Sequence, residues 1–400
     1  MERKENVLIV HNFYKIRGGE DTVVTNEKKL LEEHGHKVVL YSRDNSELDK
    51  HKILSRLLLP FASVFNIKTY RAVKKIIKKE KIDVVHVHNT LAIVSPAVYY
   101  AAKKMKVPVI STLHNFRLLC PAGVLYRDGS ICEDCLDKGF KCAVKHKCYR
   151  NSRLQTLSSV FVQKFHRFTG IYKKINYICL TRFNKEKMLR HGQISEDRIF
   201  IKPNFCESDG TAKPFAERSG FVFVGRLEEI KGVKFLLEAF ADPRLSEYKL
   251  TLLGTGELEE YCKKYVADNG LKNVELRGFT PHDEVLKITS ESKGLILPTL
   301  VYEGFPMTIV EAFSVGTPVI CPDTGNAGDI VKDGVCGKKY AQCDKEGFIN
   351  AVKYIDETAG LNETALGEYL NNYTAERNYA ILSEIYAAAE GNACKKPDKK

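Results

Sequence analysis

Short apolar runs rich in β-branched residues recur along the chain. Longer stretches, whose apolar positions return every three or four residues, lie between them. The runs at 6–10, 37–42, 83–88, 108–113, 176–181 and 199–203 predict strands in the first half. Those at 221–225, 249–254, 274–278, 294–298 and 318–322 predict strands in the second. Several are apolar at nearly every position, as strands covered on both faces are. The stretches 21–35, 68–81, 234–240 and 257–269 predict helices. Strands alternating with helices imply parallel sheets with right-handed crossovers, so the fold class is α/β.

The pattern runs twice. The apolar run at 7–10 leads into a glycine turn and a helix, and the run at 221–224 does the same. Between the halves, 203–220 holds two prolines, two glycines and too few apolar residues for a helix or a strand, which makes it a linker. Two doubly wound domains follow. Ligands of such sheets bind beyond the carboxyl ends of the strands, so two facing domains would set their crevices opposite one another.

Composition refines this. With 400 residues, 44% hydrophobic and 28% charged, the chain is globular and long enough for two domains. No apolar run approaches the ~18 residues of a spanning helix. The first run is too short for the core of a signal peptide, so a cytoplasmic location is expected. The net charge of +12 is uneven: residues 1–200 carry 38 Lys and Arg against 19 Asp and Glu, and 201–400 carry 24 against 31. The first half is therefore expected to face something anionic, although a solvated lysine-rich surface gives the same count. Twelve cysteines in a reducing compartment argue against a disulfide framework. Seven of them (Cys179, Cys206, Cys262, Cys321, Cys336, Cys343 and Cys394) are scattered and read mostly as small buried or indifferent residues.

Gly225-Arg226-Leu227-Glu228-Glu229-Ile230-Lys231-Gly232 follows a predicted strand and precedes a helix. Its glycines let the backbone bend, and Arg226 and Lys231 emerge at the carboxyl end of the strand. Two cations there suit a diphosphate, Arg by forked hydrogen bonds and Lys as a point charge. Solvated charges on an exposed loop would look the same. Tyr302-Glu303-Gly304-Phe305-Pro306-Met307-Thr308-Ile309-Val310-Glu311-Ala312 follows the strand at 294–298. Gly304 permits a tight turn, and Pro306 suits the first helical position. Free amides at the start of that helix form an anion site. Glu303 sits in the loop beside it. Glu311, over one turn inside the helix, can accept hydrogen bonds from hydroxyls such as a ribose offers. Compensation of the helix dipole would explain one carboxylate but not the combination.

Gly225-Arg226-Leu227-x3-Lys231-Gly232 followed by Glu303-x7-Glu311 resembles the retaining glycosyltransferases of family 4, which have the GT-B fold. The resemblance covers nearly the whole chain. It includes Arg17-Gly18-Gly19-Glu20, Asp83-Val84-Val85-His86-Val87-His88, Thr112-Leu113-His114-Asn115, Pro203-Asn204 and the stretch 373–386. It implies two Rossmann-like domains facing a central cleft. Residues 1–205 would form an acceptor-binding domain with a cysteine-rich insertion at 120–148, and 206–372 a nucleotide-sugar-binding domain. Residues 373–400 would hold a helix crossing back to the first domain and a lysine-rich tail.

The resemblance also implies roles. Arg226 and Lys231 would hold the donor's diphosphate, and Glu311 would bind the ribose. Glu303 and the backbone of Gly304, Phe305, Pro306, Met307 and Thr308 would hold the sugar and phosphate. Gly18 and Gly19 would close over the cleft. His114 matches the family's cleft histidine, which contacts the sugar and supports developing positive charge through its backbone carbonyl; a satisfied strand-end histidine is the other reading. Asn115 stands where the family often has Asp. His11 and His88, also at strand ends, are secondary candidates.

The implied reaction moves a sugar from a UDP- or GDP-sugar to a lipid-linked or growing cell-surface glycan with retention of configuration. Its transition state is oxocarbenium-like, and the main task is to stabilise the leaving diphosphate. Two cations and a helix N-terminus can do this without a metal, so no cofactor is required, and no Asp-x-Asp pair is evident. A nucleotide-sugar epimerase on the same scaffold and a non-catalytic membrane-associated binding protein are the alternatives. A hydrolase pair is not indicated, because Glu303 and Glu311 arise from one helix-start motif.

Three further features are open. Gly254-Thr255-Gly256 lacks the third glycine of a dinucleotide fingerprint, position 259 being Glu, and reads as a tight turn approaching the nucleotide, as Gly225 does. Cys120, Cys132, Cys135, Cys142 and Cys148 cluster in sequence with His146. Cys132, Cys135, Cys142 and Cys148 could hold a structural zinc; free thiols on an insertion, or a redox pair, are the other readings. The stretch 52–81 mixes Lys and Arg with apolar residues and suits an anionic inner leaflet, which would make the protein peripheral there. The other reading turns its apolar side into the core. No nucleic-acid module is recognisable.

Overall fold

The computed structural model describes residues 4–15, 18–47 and 61–394. The chain forms two compact units. The first comprises Met1–Gly123, Glu133–Pro203 and Asn378–Lys400; the second comprises Val124–Cys132 and Asn204–Arg377.

The first unit is built on β1 (Asn6–Phe13), β2 (Lys37–Asp44), β3 (Val84–Val87) and β4 (Val109–Leu113). A short hairpin, β5 (Tyr126–Arg127) and β6 (Ser130–Ile131), interrupts the series, which resumes with β7 (Asn176–Cys179) and β8 (Ile199–Ile201). All six main strands are parallel, in the order β2-β1-β3-β4-β7-β8. Val7 lies opposite both Val38 and Val84, and Val7, Leu8, Ile9 and Val10 are wholly buried. That is why the run reads as continuously apolar: helices cover both faces, and no position along it meets water. The strand order reverses direction at β1, with β2 on one side and β3 on the other, so a site is expected at the carboxyl ends of these strands.

The helix Ala375–Cys394 ties into this unit by polar contacts. The Tyr379 hydroxyl lies 2.9 Å from His36 Nε2, the Tyr386 hydroxyl lies 2.9 Å from His86 Nδ1, and Asn392 Nδ2 donates to Asn176 Oδ1 at 3.1 Å. The hairpin β5–β6 groups with the second unit, whereas the sequence placed all of 120–148 in the first. Leu125 beside it is fully buried, and the Tyr126 hydroxyl is within electrostatic reach of Glu229 and Cys343, both in the second unit. In the helix Ile67–Glu80, Asn66 caps the amides of Lys68 and Thr69, and Thr69, Val73 and Ile77 are buried. From Thr69 on, the apolar side of the basic stretch is thus in the core, whereas Phe61 and Ile67 are exposed; 52–60 lie outside the described residues.

The second unit has six parallel strands: β9 (Phe221–Val224), β10 (Leu250–Leu253), β11 (Val274–Gly278), β12 (Gly294–Ile296), β13 (Val319–Pro322) and β14 (Gly337–Tyr340). Their order is β11-β10-β9-β12-β13-β14. Alternation sorts the side chains to two cores. Phe221, Phe223, Leu250, Leu252, Ile296 and Ile320 pack with the helices Val233–Phe240 and Lys345–Glu357. Val222, Leu253, Leu295, Val319 and Cys321 pack on the other face with Met307–Ser314 and Leu361–Asn372. Every strand expected from the apolar runs forms. Within the two six-stranded sheets the one strand not expected, β14, is an edge strand whose two central residues are Lys338 and Lys339, so no apolar run marks it.

Glycine matters most at Gly254, where φ is +135° and a Cβ would overlap the Gly225 carbonyl oxygen. Gly254→Ala is expected to destabilise the protein by at least ~2 kcal/mol in denaturant unfolding, because both strain and a backbone clash oppose it. Gly367→Ala, within a helix and with open space around it, is expected to be neutral or to stabilise by up to ~1 kcal/mol.

Candidate active site

In the second unit, loops leaving the carboxyl ends of β9, β10 and β12 are bonded to one another through their backbones. Leu227 N donates to Thr255 O at 3.0 Å, Leu258 N to Leu227 O at 2.9 Å, and Leu300 N to Ile230 O at 2.9 Å. Gly232 has φ +72°, and a Cβ there would strike the Pro298 carbonyl. Backbone contact therefore sets where Lys231 stands. Its Nζ lies 2.8 and 3.0 Å from the two carboxylate oxygens of Glu303. Glu303 also accepts from Thr299 Oγ1 at 2.8 Å. Buried Asn326 donates to the carbonyls of both Glu303 and Gly304, the second at 2.8 Å, and so fixes the turn before the helix Met307–Ser314.

The remaining donor-side candidates take distinct positions. Arg226 extends outward, 70% exposed, and pairs with Glu228. Gly225 and Gly254 end their strands, with Gly225 N bonded to Leu253 O and Gly254 N to Gly278 O. Pro306 is buried and stands one position before the helix, in extended conformation, rather than at its first residue as the sequence suggested; Phe305 and Met307 lean on the core beneath, and Thr308 is half-buried in the first turn. Burial pushes the Glu311 carboxyl above its ordinary pKa, and His282 opposes the shift. The structure thus gathers Lys231, Glu303 and the Gly304 turn.

In the first unit the carboxyl ends of β1, β3 and β4 carry a buried polar cluster. Gly18 and Gly19 begin the helix Gly19–Glu33 in open space; the Gly18 amide donates to Asp21 Oδ2 at 2.9 Å, and Asp21 Oδ1 lies 2.8 Å from His11 Nε2. Arg17 lies outside the described residues. Glu20 accepts from the Tyr14 hydroxyl at 3.2 Å, and burial pushes its pKa up to about 8.

About two turns further along the helix, Glu27 is fully buried beside an ammonium and two imidazoles. Lys202 Nζ, 1% exposed, lies 2.8 Å from Glu27 Oε2. Glu27 Oε1 lies 2.9 Å from His86 Nδ1 and 3.2 Å from His88 Nε2. Burial would raise the Glu27 pKa, but Lys202 and the two rings hold it well below the ordinary value. Burial keeps His88 neutral down to about 4 and His114 neutral well below its ordinary value. His88 Nδ1 and His114 Nε2 share a hydrogen bond at 3.0 Å, with one ring donating to the other. His114 follows β4 directly.

Glu27, His86 and His88 are the one set of three or more potential metal ligands within 4.8 Å of one another among the described residues. The set does not fit a metal. Lys202 already supplies the cation, and His86 is committed at both nitrogens, to Tyr386 and to Thr112 Oγ1. The cysteines form no such set. Cys132 falls in the second unit, and Cys135 and Cys142 sit on separate short helices, Asp134–Asp137 and Lys141–Lys145, with Cys148 beyond. No three of these thiols converge, so they do not fit a tetrahedral zinc.

Sequence reasoning missed Glu27, Lys202, Thr299 and Asn326, and gave Glu20 no role. Lys202 carried a faint signal, as a charge closing the apolar strand Ile199–Ile201. Its partner lies 175 residues earlier, and no local pattern joins them.

Comparison with known proteins covers both halves. The family described as Glycosyltransferase Family 4 matches residues 17–209, and Glycosyl transferases group 1 matches residues 212–369. The lipopolysaccharide 1,6-galactosyltransferase of Escherichia coli (strain K12) is 28% identical over 222 residues, 53% of this chain and 61% of that protein. An E. coli UDP-Gal:alpha-D-GlcNAc-diphosphoundecaprenol alpha-1,3-galactosyltransferase is 23% identical over 80% of this chain and 79% of that protein. The solved structure of the lipopolysaccharide outer core galactosyltransferase WaaB superposes with a TM-score of 0.65 at 18% identity, covering 95% of this chain and 98% of that one. Anabaena HepE in complex with UDP superposes at 0.62 and 15% identity, covering 96% and 100%.

Glu27→Gln leaves Lys202 buried without a counter-charge and is expected to lower stability by ~3–5 kcal/mol; pairing it with Lys202→Met should recover much of the loss in denaturant melts. Stability should also bend at both ends of the pH range. His88, His166 and His191 hold folded-state pKa values of about 4 against 6.5, so the unfolded chain takes up protons first and stability falls as pH drops from about 6.5 to about 4. Glu20 works oppositely: raised from 4.5 to about 8, it withdraws stability as pH rises through that window. Tm measured at pH 6 and pH 9 should show Glu20→Gln losing this alkaline component.

Proposed function

Because the chain belongs to the family 4 glycosyltransferases and has their GT-B fold of two Rossmann-like domains, we propose that it moves a sugar from a nucleotide-diphosphate sugar to a cell-surface glycan, with retention of configuration and without a metal. The observation that carries the reading is the Lys231–Glu303 pair, locked at the carboxyl ends of β9 and β12 beside the Gly304 turn. A lysine held there by backbone contacts is preorganised for a departing diphosphate, where negative charge grows as the sugar–phosphate bond breaks. Arg226, exposed and tethered only to Glu228, can swing onto the same phosphates, and the amides at Met307 and Thr308 add the positive end of a helix. Glu303 holds Lys231 before the donor arrives and meets the transferred sugar afterwards. Glu311 takes the ribose hydroxyls, and Gly225 and Gly254 let backbone approach the nucleotide.

The first unit supplies the acceptor side. His114, neutral and bonded to His88, presents its ring and its carbonyl to the sugar, and Gly18 and Gly19 give an open turn at the start of the helix Gly19–Glu33. The names of the relatives favour lipopolysaccharide or lipid-linked acceptors, and the solved complexes favour UDP among the nucleotides. No helix among the described residues is long and apolar enough to cross a membrane; in this reading a lipid-linked acceptor is met from a peripheral position on the cytoplasmic face.

Nucleotide release from a panel of UDP- and GDP-sugars, with and without a lipid-linked acceptor, tests the reading. Lys231→Ala is expected to lower kcat by about 10²–10³-fold, the range for a lost preorganised charge. Glu311→Gln should mainly raise KM for the donor, and chelators should leave the rate unchanged. Binding of no donor, or stable sugar products without acceptor, would overturn the transferase assignment; the second outcome would mark an epimerase.

A further inference from the structure

The helix Arg153–Phe168 is amphipathic in the reverse of the usual sense. Its inward residues are Thr156, Val160, Gln163 and His166. Two of these polar side chains are tied into the unit: Thr156 Oγ1 accepts from Tyr149 N at 3.0 Å, and His166 reaches the Tyr100 hydroxyl at 2.8 Å and the Val64 carbonyl at 3.0 Å. Its outward residues include Leu154, Leu157, Phe161, Phe165 and Phe168, exposed by 80, 52, 56, 37 and 91%. Their spacing places them on one stripe down the helix, about 20 Å long at a rise of ~1.5 Å per residue. Singly exposed apolar residues are ordinary, but an ordered stripe of this size marks an interaction face. Phe61 and Ile67 extend it: they are 75 and 55% exposed, on the segment whose Val64 carbonyl holds His166.

The charge around the stripe identifies what it meets. From Lys138 to Lys185 the sequence has twelve Lys and Arg and no Asp or Glu. Arg153 and Lys164 flank the stripe on the helix itself, and Lys173 and Lys174 follow it, all exposed. Lys103, on the helix that supplies Tyr100, stands close enough to Lys174 that the neighbouring ammonium lowers its pKa, so the cations crowd without an acid between them. A protein partner would need an equally one-signed face. A bilayer containing anionic lipid offers phosphates in every direction around an apolar interior.

We propose that the helix Arg153–Phe168 docks the protein on an anionic membrane. The Leu154–Leu157–Phe161–Phe165–Phe168 stripe enters the boundary between headgroups and acyl chains, and the surrounding Lys and Arg side chains meet lipid phosphates. The acceptor reading gives this docking its purpose, but the binding itself is independent of donor chemistry.

Flotation of the full chain with phosphatidylcholine vesicles, with and without about one-third phosphatidylglycerol, tests it. The chain should float with the anionic vesicles and not with the neutral ones, and added salt should weaken the association. Phe161→Glu with Phe168→Glu should lower the bound fraction by roughly tenfold or more, while donor-dependent nucleotide release in vesicle-free buffer and Tm stay unchanged. Leu154→Ser with Phe168→Ser, at the two most exposed positions, gives the same test if the glutamate variant fails to fold. Wild-type protein that stays with the soluble fraction, variants that float as well as wild type, or a wild-type dimer that the variants dissociate would each overturn the proposal. Vesicle binding by a protein that accepts no nucleotide sugar would leave docking standing and remove the transferase reading instead.

Discussion

A carboxylate sealed from water must be met by positive charge or be neutralised, and the first unit is arranged around one such group. Glu27 draws Lys202 from the end of β8 and His86 and His88 from β3. The partners of those partners extend the arrangement: Lys202 also reaches Asn378 at 3.0 Å, His86 reaches Tyr386, and His88 reaches His114. One buried charge thereby links the first helix, three strand ends and the C-terminal helix. Replacing such a group by a neutral one leaves the others facing an unpaired ammonium, which is why single changes there cost more than the network itself contributes. The same arrangement reaches His114: its ring bonds to His88, which packs against the buried carboxylate, so a structural ion pair helps to fix the position of a residue at the end of β4.

The second unit solves the equivalent problem with backbone. Its loops approach so closely at Gly232 and Gly254 that no side chain fits, and main-chain hydrogen bonds hold the loop of Lys231 against that of Glu303. The gain is position without added charge: the lysine is placed by groups that neither titrate nor attract the donor's phosphates. Glu303 then balances Lys231 at 2.8 Å, so the half-site carries little net charge of its own at that pair. Asn326 completes it from a third loop by bonding two successive carbonyls of the turn.

This difference explains how far the sequence could be read. Strands covered on both faces announce themselves, since every position must be apolar; β14, at an edge and carrying Lys338 and Lys339, does not. The donor motifs were legible because glycine, proline and charge fall within a few residues of each other, and contacts at that range repeat in sequence. Glu27 and Lys202 were not, because their pairing spans 175 positions and each alone looks like a surface charge. The cysteines erred in the other direction. Cys132 and Cys135 have a ligand-like spacing, but no three of the thiols come within 4.8 Å of one another among the described residues.

Amphipathic spacing has a further ambiguity, which this chain exposes. A helical period shows that a helix has two faces, but not which of them turns inward. In Ile67–Glu80 Val73 and Ile77 are buried while Ile67, at the start of the helix, is exposed, so the apolar residues of that basic stretch divide between the core and the surface. In Arg153–Phe168 the ring of His166 and the hydroxyl of Thr156 have hydrogen-bond partners waiting inside, and Phe161 and Phe168 do not enter the core. What decides the orientation is the supply of inward partners for the polar side chains. Tyr100, Val64 and Tyr149 provide those partners, and they come from elements up to 102 residues away. An exposed apolar stripe is therefore a consequence of satisfied polar groups beneath it: turning the helix over would bury the aromatic rings only by leaving the Val64 carbonyl and the Tyr149 amide without the partners that His166 and Thr156 supply.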